Sequence, residues 1–359
     1  RPVGVAPTSE YAALNEKLHT ENLEAYEAYQ LGLFHQGRRD YYAESLPEAL
    51  RFFQLAIQTY PDLAPAHAGM SHVFNSIASV GLSPPKDIWP QVERWARSGL
   101  ALDSTLAEAH LQLAEASLVR DWDWGEAERR IERAIRLDPN SPVAHTFYMN
   151  FLLAQARIQE AEREYEILEQ LDPRSSATLN SRARFAFFAR NFEDAVPLAE
   201  ILEERDPTNL QASNWLGLSL MVSGQLEEAD RIYPVSFPEL PKESALDWAA
   251  LAIYYSLTDA PDSAMATMDR VLSLSERDYV NPLFIWPTYA ALGNRDEAFA
   301  WMERSIEAQS WLSTFLGVSP LTDPLRDDLR FQTILDRISL GHLKARFDSL
   351  AAARPAGGP

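Results

Sequence analysis

Small apolar positions recur along this chain at a nearly constant interval. Ala49, Val92, Ala127, Ala161, Ala195, Ala229, Ala264 and Ala298 each follow a polar turn and open a stretch of helical rhythm. Successive markers lie 43, 35, 34, 34, 34, 35 and 34 residues apart. Twelve residues after most of them stands a helix stop: Pro61, Ser104, Pro139, Pro173, Pro207 and Pro241. Twelve residues before them stands a small residue, as at Ala183, Gly217 and Ala252. Proline cannot continue a helix, and small residues let two helix axes approach. The pattern therefore predicts a 34-residue unit of two antiparallel helices. One such pair cannot bury its own apolar face, so consecutive units stack into a continuous core.

The departures from the period are informative. The first unit carries about five extra residues around Arg38–Glu44, and the second about nine around Gly81–Lys86, where "GLSPP" makes a rigid turn. The third carries one extra near Asp121–Glu128. In the sixth, the second helix should run from Glu227 to about Leu240, yet Pro234 and Pro238 fall inside it. It is expected to break after about Tyr233, leaving an irregular link at 234–243 that serves as hinge or boundary between sub-arrays. In the eighth, Trp286 and Pro287 replace small or helix-forming residues. Past residue 310 the period ends. A turn at Ser319–Pro324 precedes an amphipathic helix with apolar Leu329, Ile334, Leu335 and Ile338, which suits a cap on the last unit. The expected division is a linker over 1–20, six units over 21–233, the link at 234–243 and two units over 244–310. A capping segment follows over 311–350 and a disordered tail over 351–359.

A 34-residue period on this alanine and proline framework resembles the tetratricopeptide repeat, in eight copies over about residues 21–310. The resemblance implies an all-α, right-handed α-solenoid (superhelix) of about eight helix–turn–helix repeats with a C-terminal capping helix. Longer strings resemble one branch of such proteins: "ENLEAYEAYQLG" from Glu21, "YPDLAPAHAGMSHVF" from Tyr60, "LDSTLAEAHLQLA" from Leu102, "DWDWGEAE" from Asp121, and the stretch from Tyr289 to Phe331. Their order is similar to the C-terminal repeat region of bacterial multidomain signalling proteins. There the region follows a Ser/Thr kinase, winged-helix or adenylate cyclase domain, usually after one transmembrane helix. The resemblance implies a regulatory or sensory part, on the far side of a membrane from its effector. The chain itself has no glycine-rich loop, His-Arg-Asp or Asp-Phe-Gly.

Composition narrows the partners. Asp and Glu number 52 against 32 Lys and Arg, a formal charge of −20, which disfavours nucleic acid and anionic membrane surfaces. Only Lys17, Lys86, Lys242 and Lys344 are lysines. Salt adaptation or a GC-rich source accounts for such a surface as readily as a basic partner does. Cysteine is absent, so disulfides and thiolate sites are excluded. No run of 18 uncharged apolar residues exists to span a membrane. The sequence starts at Arg1 without a leader or initiator Met and is expected to be a piece of a longer protein.

No catalytic, metal or cofactor constellation stands out. His67, His110 and His145 recur at one place in units two to four, following the repeat rather than a ligand rule, and are expected to be structural. His-Glu-x-x-His, Walker and Gly-x-Ser-x-Gly motifs are absent. Paired acids such as Glu203–Glu204 are expected on solvated faces. Trp122 and Trp124 are expected to pack across a turn.

Helical periodicity instead selects one face of the first helices. It carries His72 and Asn75, then Glu108 and Glu115, then Thr146 and Asn150, then Asn180, Arg184 and Phe187, then Asn214 and Met221. Asparagine is a poor helix-interior residue, so several on one face ask for a reason. Their amides suit an extended peptide backbone, Arg184 a carboxylate, and Phe187 and Met221 an apolar pocket. A peptide groove centred on units four to six is one reading; solvent-facing or inter-repeat hydrogen bonding is the other. The lysine pair of the co-chaperone carboxylate clamp is missing, so chaperone tails are not expected ligands. Three roles follow: a protein-binding scaffold, a small-ligand-sensing solenoid, or a self-association module. No cofactor is expected.

Overall fold

The computed structural model describes residues 22–38, 42–79, 82–206, 210–232, 245–258, 260–276 and 279–344. All regular structure among them is helical. The chain divides into two compact units, Arg1–Phe147 and Tyr148–Pro359.

In the first unit, α1 (Leu23–Gln36) packs on α2 (Tyr42–Thr59), α3 (Ala64–Ser79) on α4 (Pro85–Leu102), and α5 (Ala107–Ala116) on α6 (Trp124–Leu137). The boundary between units falls within α7 (Pro142–Ala154). The second unit continues with α8 (Ile158–Leu171), α9 (Ser176–Phe188), α10 (Ala195–Arg205), α11 (Leu210–Val222) and α12 (Leu226–Ile232). Then come α13 (Ala245–Leu257), α14 (Pro261–Ser275), α15 (Trp286–Ala291), α16 (Arg295–Glu307) and α17 (Leu329–Arg337).

The repeat markers explain this arrangement. All eight, from Ala49 to Ala298, are fully buried, and each lies in the second helix of its repeat. Helices α2, α4, α6, α8 and α10 each end two residues before the expected stop at Pro61, Ser104, Pro139, Pro173 or Pro207. In the first repeats the close approach is literal. Phe53 of α2 is fully buried between Gly32 of α1 and Gly69 of α3, and a Cβ on either glycine would lie 2.6 Å from its ring.

The turn inside each repeat is also periodic. Trp122, Ala156, Arg190, Gly224 and Gly293 all have positive φ, the first four at intervals of 34 residues. At Ala156 the N–H donates to the Leu153 carbonyl, and the next N–H, of Arg157, donates to Leu152. The same pair of bonds recurs at Arg190, Gly224 and Gly293. This is the Schellman ending, which satisfies orphan carbonyls at a helix C-terminus and favours glycine at its left-handed position. The extra residue of the third repeat is absorbed as a π turn at Ser117–Asp121, where Asp123 N–H donates to the Ser117 carbonyl.

The eighth repeat has a short first helix. A 3₁₀ turn, Pro282–Phe284, leads into α15, and Trp286 and Pro287 are buried at its start, where proline lacks no needed donor. Beyond α16, two 3₁₀ turns, Trp311–Phe315 and Pro320–Leu325, precede α17. The capping helix buries Phe331, Ile334 and Leu335, with Ile338 beyond its end. Leu329 departs from the expectation: it is 79% exposed, because the buried stripe begins at Phe331 and Leu329 lies on the opposite side of the helix. The N-terminal linker, the link at 234–243 and the tail from 351 lie outside the described residues. Among the described residues no helix is long and apolar enough to cross a membrane.

Candidate interaction surface on the first helices

In the first unit the polar residues of the first-helix face bond one repeat to the next. Asn75 of α3 donates from Nδ2 to Gln112 Oε1 and to Glu115 Oε2 of α5, each at 2.6 Å. Its Oδ1 accepts from Ser79 at 3.1 Å. One turn away, His72 Nδ1 lies 2.7 Å from Glu108 Oε1. Asn75 and Gln112 are buried, while His72, Glu108 and Glu115 are half-buried. Inter-repeat bonding accounts for these residues.

The three histidines have a shared geometry. Nε2 of His67, His110 and His145 lies 2.9, 3.3 and 3.0 Å from the carbonyl six residues earlier, at Pro61, Ser104 and Pro139. A carbonyl only accepts, so Nε2 carries the proton. Each ring thus ties the first turn of a helix to the stop preceding it. Burial pushes the His110 pKa down, and Arg130 and Arg133 add to this, against the Ser104 hydrogen bond, which raises it. Among the described residues no group of three or more His, Asp or Glu is placed to hold a metal ion.

On α7, Thr146 of the first unit and Asn150 of the second are half-buried, and the Asn150 Oδ1 is shielded from solvent without a hydrogen-bond partner. In the second unit, Asn180, Arg184, Phe187 and Met221 are all buried, at 5%, 8%, 1% and 3% exposure. Asn214 is half-buried. Phe187 and Met221, expected to offer an apolar pocket, are instead part of the core. Phe187 packs edge-on against Phe188 and reaches Trp215 of α11, and Met221 joins the cluster of Ala195, Ala229, Ala250 and Tyr254. Stacking of the next repeat turns both side chains into the core.

Arg184 is held between two indoles. Its guanidinium carbon lies 6.0 Å from the Trp215 ring centre and 5.6 Å from that of Trp311. These distances are at the range of cation–π attraction. Trp311 belongs to the segment after the last repeat, so the chain returns to α9. Phe188 stacks on Phe315 with centres 4.3 Å apart and planes at 17°. Arg190 makes a bidentate pair with Asp323, at 2.7 and 2.6 Å, across 133 residues of sequence. Arg326 braces the same carboxylate at 2.8 Å and also donates to the carbonyls of Gly317 and Ser319. Burial alone would raise the Asp323 pKa; the Arg190 and Arg326 guanidiniums outweigh it and hold it below its ordinary value.

Phe188, Arg190, Trp311, Phe315 and Asp323 were not selected by the repeat pattern. One signal was available for Arg190: it stands where later repeats place Gly224 and Gly293, and a non-glycine residue at positive φ needs a reason. Two hollows, of about 170 and 290 Å³, are lined by mixed charges, among them Arg120 with Glu93 and Arg182 with Glu169.

The fold and this face define a helical-repeat protein. No family model matches the sequence, and no curated protein matches it. Among solved structures, the chain is similar to a tetratricopeptide repeat protein from Parabacteroides merdae, with 12% identity over 77% of this chain and 98% of that one, and a TM-score of 0.49. It is similar to yeast Tom70, with 12% identity, 96% and 91% coverage, and a TM-score of 0.45. It is similar to Pseudomonas aeruginosa PilF, with 17% identity, 66% and 98% coverage, and a TM-score of 0.40. The 34-residue period and the stacked helix pairs carry the fold assignment by themselves.

Proposed function

We propose that this chain is a non-catalytic protein-interaction scaffold whose first-helix face holds an irregular segment of polypeptide. One observation carries the reading. In the second unit α9 and the turn after it already receive a stretch of 3₁₀ turns from the chain's own sequence, seated by Phe188, Arg184 and Arg190. A surface that accepts 3₁₀ turns through stacking and a bidentate ion pair has the chemistry of peptide recognition. The acidic balance of −20 favours protein over nucleic acid as partner. The resemblance to repeat regions of bacterial signalling proteins suits a regulatory part of a larger molecule.

The test is site-specific photo-crosslinking in lysate of the source organism. A crosslinking residue at Asn150 or Asn214 samples the first-helix face, and one at exposed Glu162 samples a second helix. Discrete protein adducts from the first two positions, absent from Glu162, are expected. Equal labelling from all three, or none from any, would remove the scaffold assignment to this face.

A further inference from the structure

The contact between α9 and the segment after α16 is unlike the rest of the core. It includes a buried cation: Arg184, at 8% exposure, lies within reach of the Trp215 and Trp311 rings. The segment's own backbone bonds are local, running from Leu316 to Ser313, Val318 and Ser319 to Phe315, and Thr322 to Ser319. Its other side is anchored to the cap. Gly317 lies against Leu343, so closely that a Cβ would come within 2.7 Å, and Arg326 ties the Gly317 and Ser319 carbonyls. Three side chains, Trp311, Phe315 and Asp323, reach α9 and the turn after it. The segment therefore has support of its own and meets α9 as a ligand does, through an aromatic pair and a carboxylate.

Resting on the scaffold reading, we infer that this contact is an exchangeable clasp. The segment occupies the α9 face in cis, and the partner that displaces it is a polypeptide presenting an aromatic residue and a carboxylate to Phe188, Arg184 and Arg190. Charge supports this occupant: Arg184 and Arg190 form a cationic, aromatic face in a chain of net charge −20. The Arg190–Asp323 pair is also accessible to attack, with side-chain exposures of 24% and 33%. A competing carboxylate can reach the guanidinium before the clasp has fully opened.

The experiment uses the full chain and a fluorescent synthetic peptide of residues 310–326 as the aromatic–acidic probe. Asp323→Lys sets a third cation beside Arg190 and Arg326 and releases the cis segment. This variant is expected to bind the peptide at least tenfold more tightly than the unaltered chain. Adding Arg190→Asp restores the ion pair with reversed sign and should return binding to the weak level. Peptide carrying Asp323→Lys should not bind the Asp323→Lys chain. An Asp323→Lys chain with unchanged helicity and cooperative melting, yet no gain in peptide binding, overturns the clasp. If that variant unfolds, Asp323→Asn is measured instead, and unfolding of both shows the segment to be core, which also overturns it. If the opened chain dimerises by light scattering and excludes peptide, the occupant is a second copy and the partner inference is overturned. None of these failures touches crosslinks made from Asn150, so the scaffold reading stands or falls separately.

Discussion

Replacing Gly69 by alanine sets two effects against each other. Alanine favours the helix over glycine by about 0.8–1 kcal/mol. The new Cβ, however, would lie 2.6, 2.7 and 2.9 Å from Cζ, Cε1 and Cε2 of Phe53. Carbon atoms prefer separations of about 3.5–4.0 Å, so the ring must retreat by nearly an ångström. Its retreat is blocked. On the far side a Cβ at Gly32 would meet Cδ1 and Cε1 at 2.6 Å, and the ring is fully buried. Overpacking of a core costs about 1–3 kcal/mol, so the net effect is destabilisation by up to about 2 kcal/mol. With Gly32→Ala added, the ring is pressed from both edges and the loss should exceed the sum of the singles. Adding Phe53→Leu to the double variant should recover stability, because the smaller side chain vacates the clash. Urea titration followed by far-UV circular dichroism measures this, compared by midpoint because a repeat array need not melt in one step. A midpoint that rises in Gly69→Ala, with no coupling to Phe53, would falsify the interlock.

Ala161 is a fully buried repeat marker, and Ala161→Trp should cost about 1–3 kcal/mol or more by urea titration; full tolerance would undercut the repeat register. Asn75→Ala removes the donor facing Gln112, a residue 1% exposed, and should lower stability by about 1–3 kcal/mol in the same assay. His145→Ala removes the tie to the Pro139 carbonyl and should cost about 0.5–1.5 kcal/mol, with no change on adding zinc or a chelator. The Asp323 carboxyl is held below its ordinary pKa in the folded chain, so its stabilisation is present above the unfolded value of about 3.9 and lost as pH falls through the lowered one. Thermal melts should therefore separate the unaltered chain from Asp323→Asn at neutral pH and converge at acid pH. A separation that persists unchanged at acid pH would sink the ion-pair account.

Much of the fold was legible because its causes are local. The eight repeat markers are all fully buried, and five helices end two residues before a predicted stop, since steric fit and backbone chemistry act within a few residues. A structural role for the three histidines was legible from their recurrence with the repeat, whereas the bond from each ring to the carbonyl six residues earlier was not. Period alone assigned Asn180 and Arg184 to one face of the first helices, and both are buried.

What those residues touch was not legible. Periodicity says which way a side chain leaves its helix, not what arrives opposite it. Phe187 and Met221 sit on the expected face and are buried all the same, because Trp215 and the next helices close over them. The link between Arg190 and Asp323 spans 133 residues, and no repeat rule connects a turn position to a segment outside the repeats. By itself the sequence determined the unit, its register and its polar face, through spacing, packing size and helix-ending residues. Tertiary structure alone decided that part of this face is filled in cis, because that depends on where stacked repeats bring a distant aromatic pair and carboxylate.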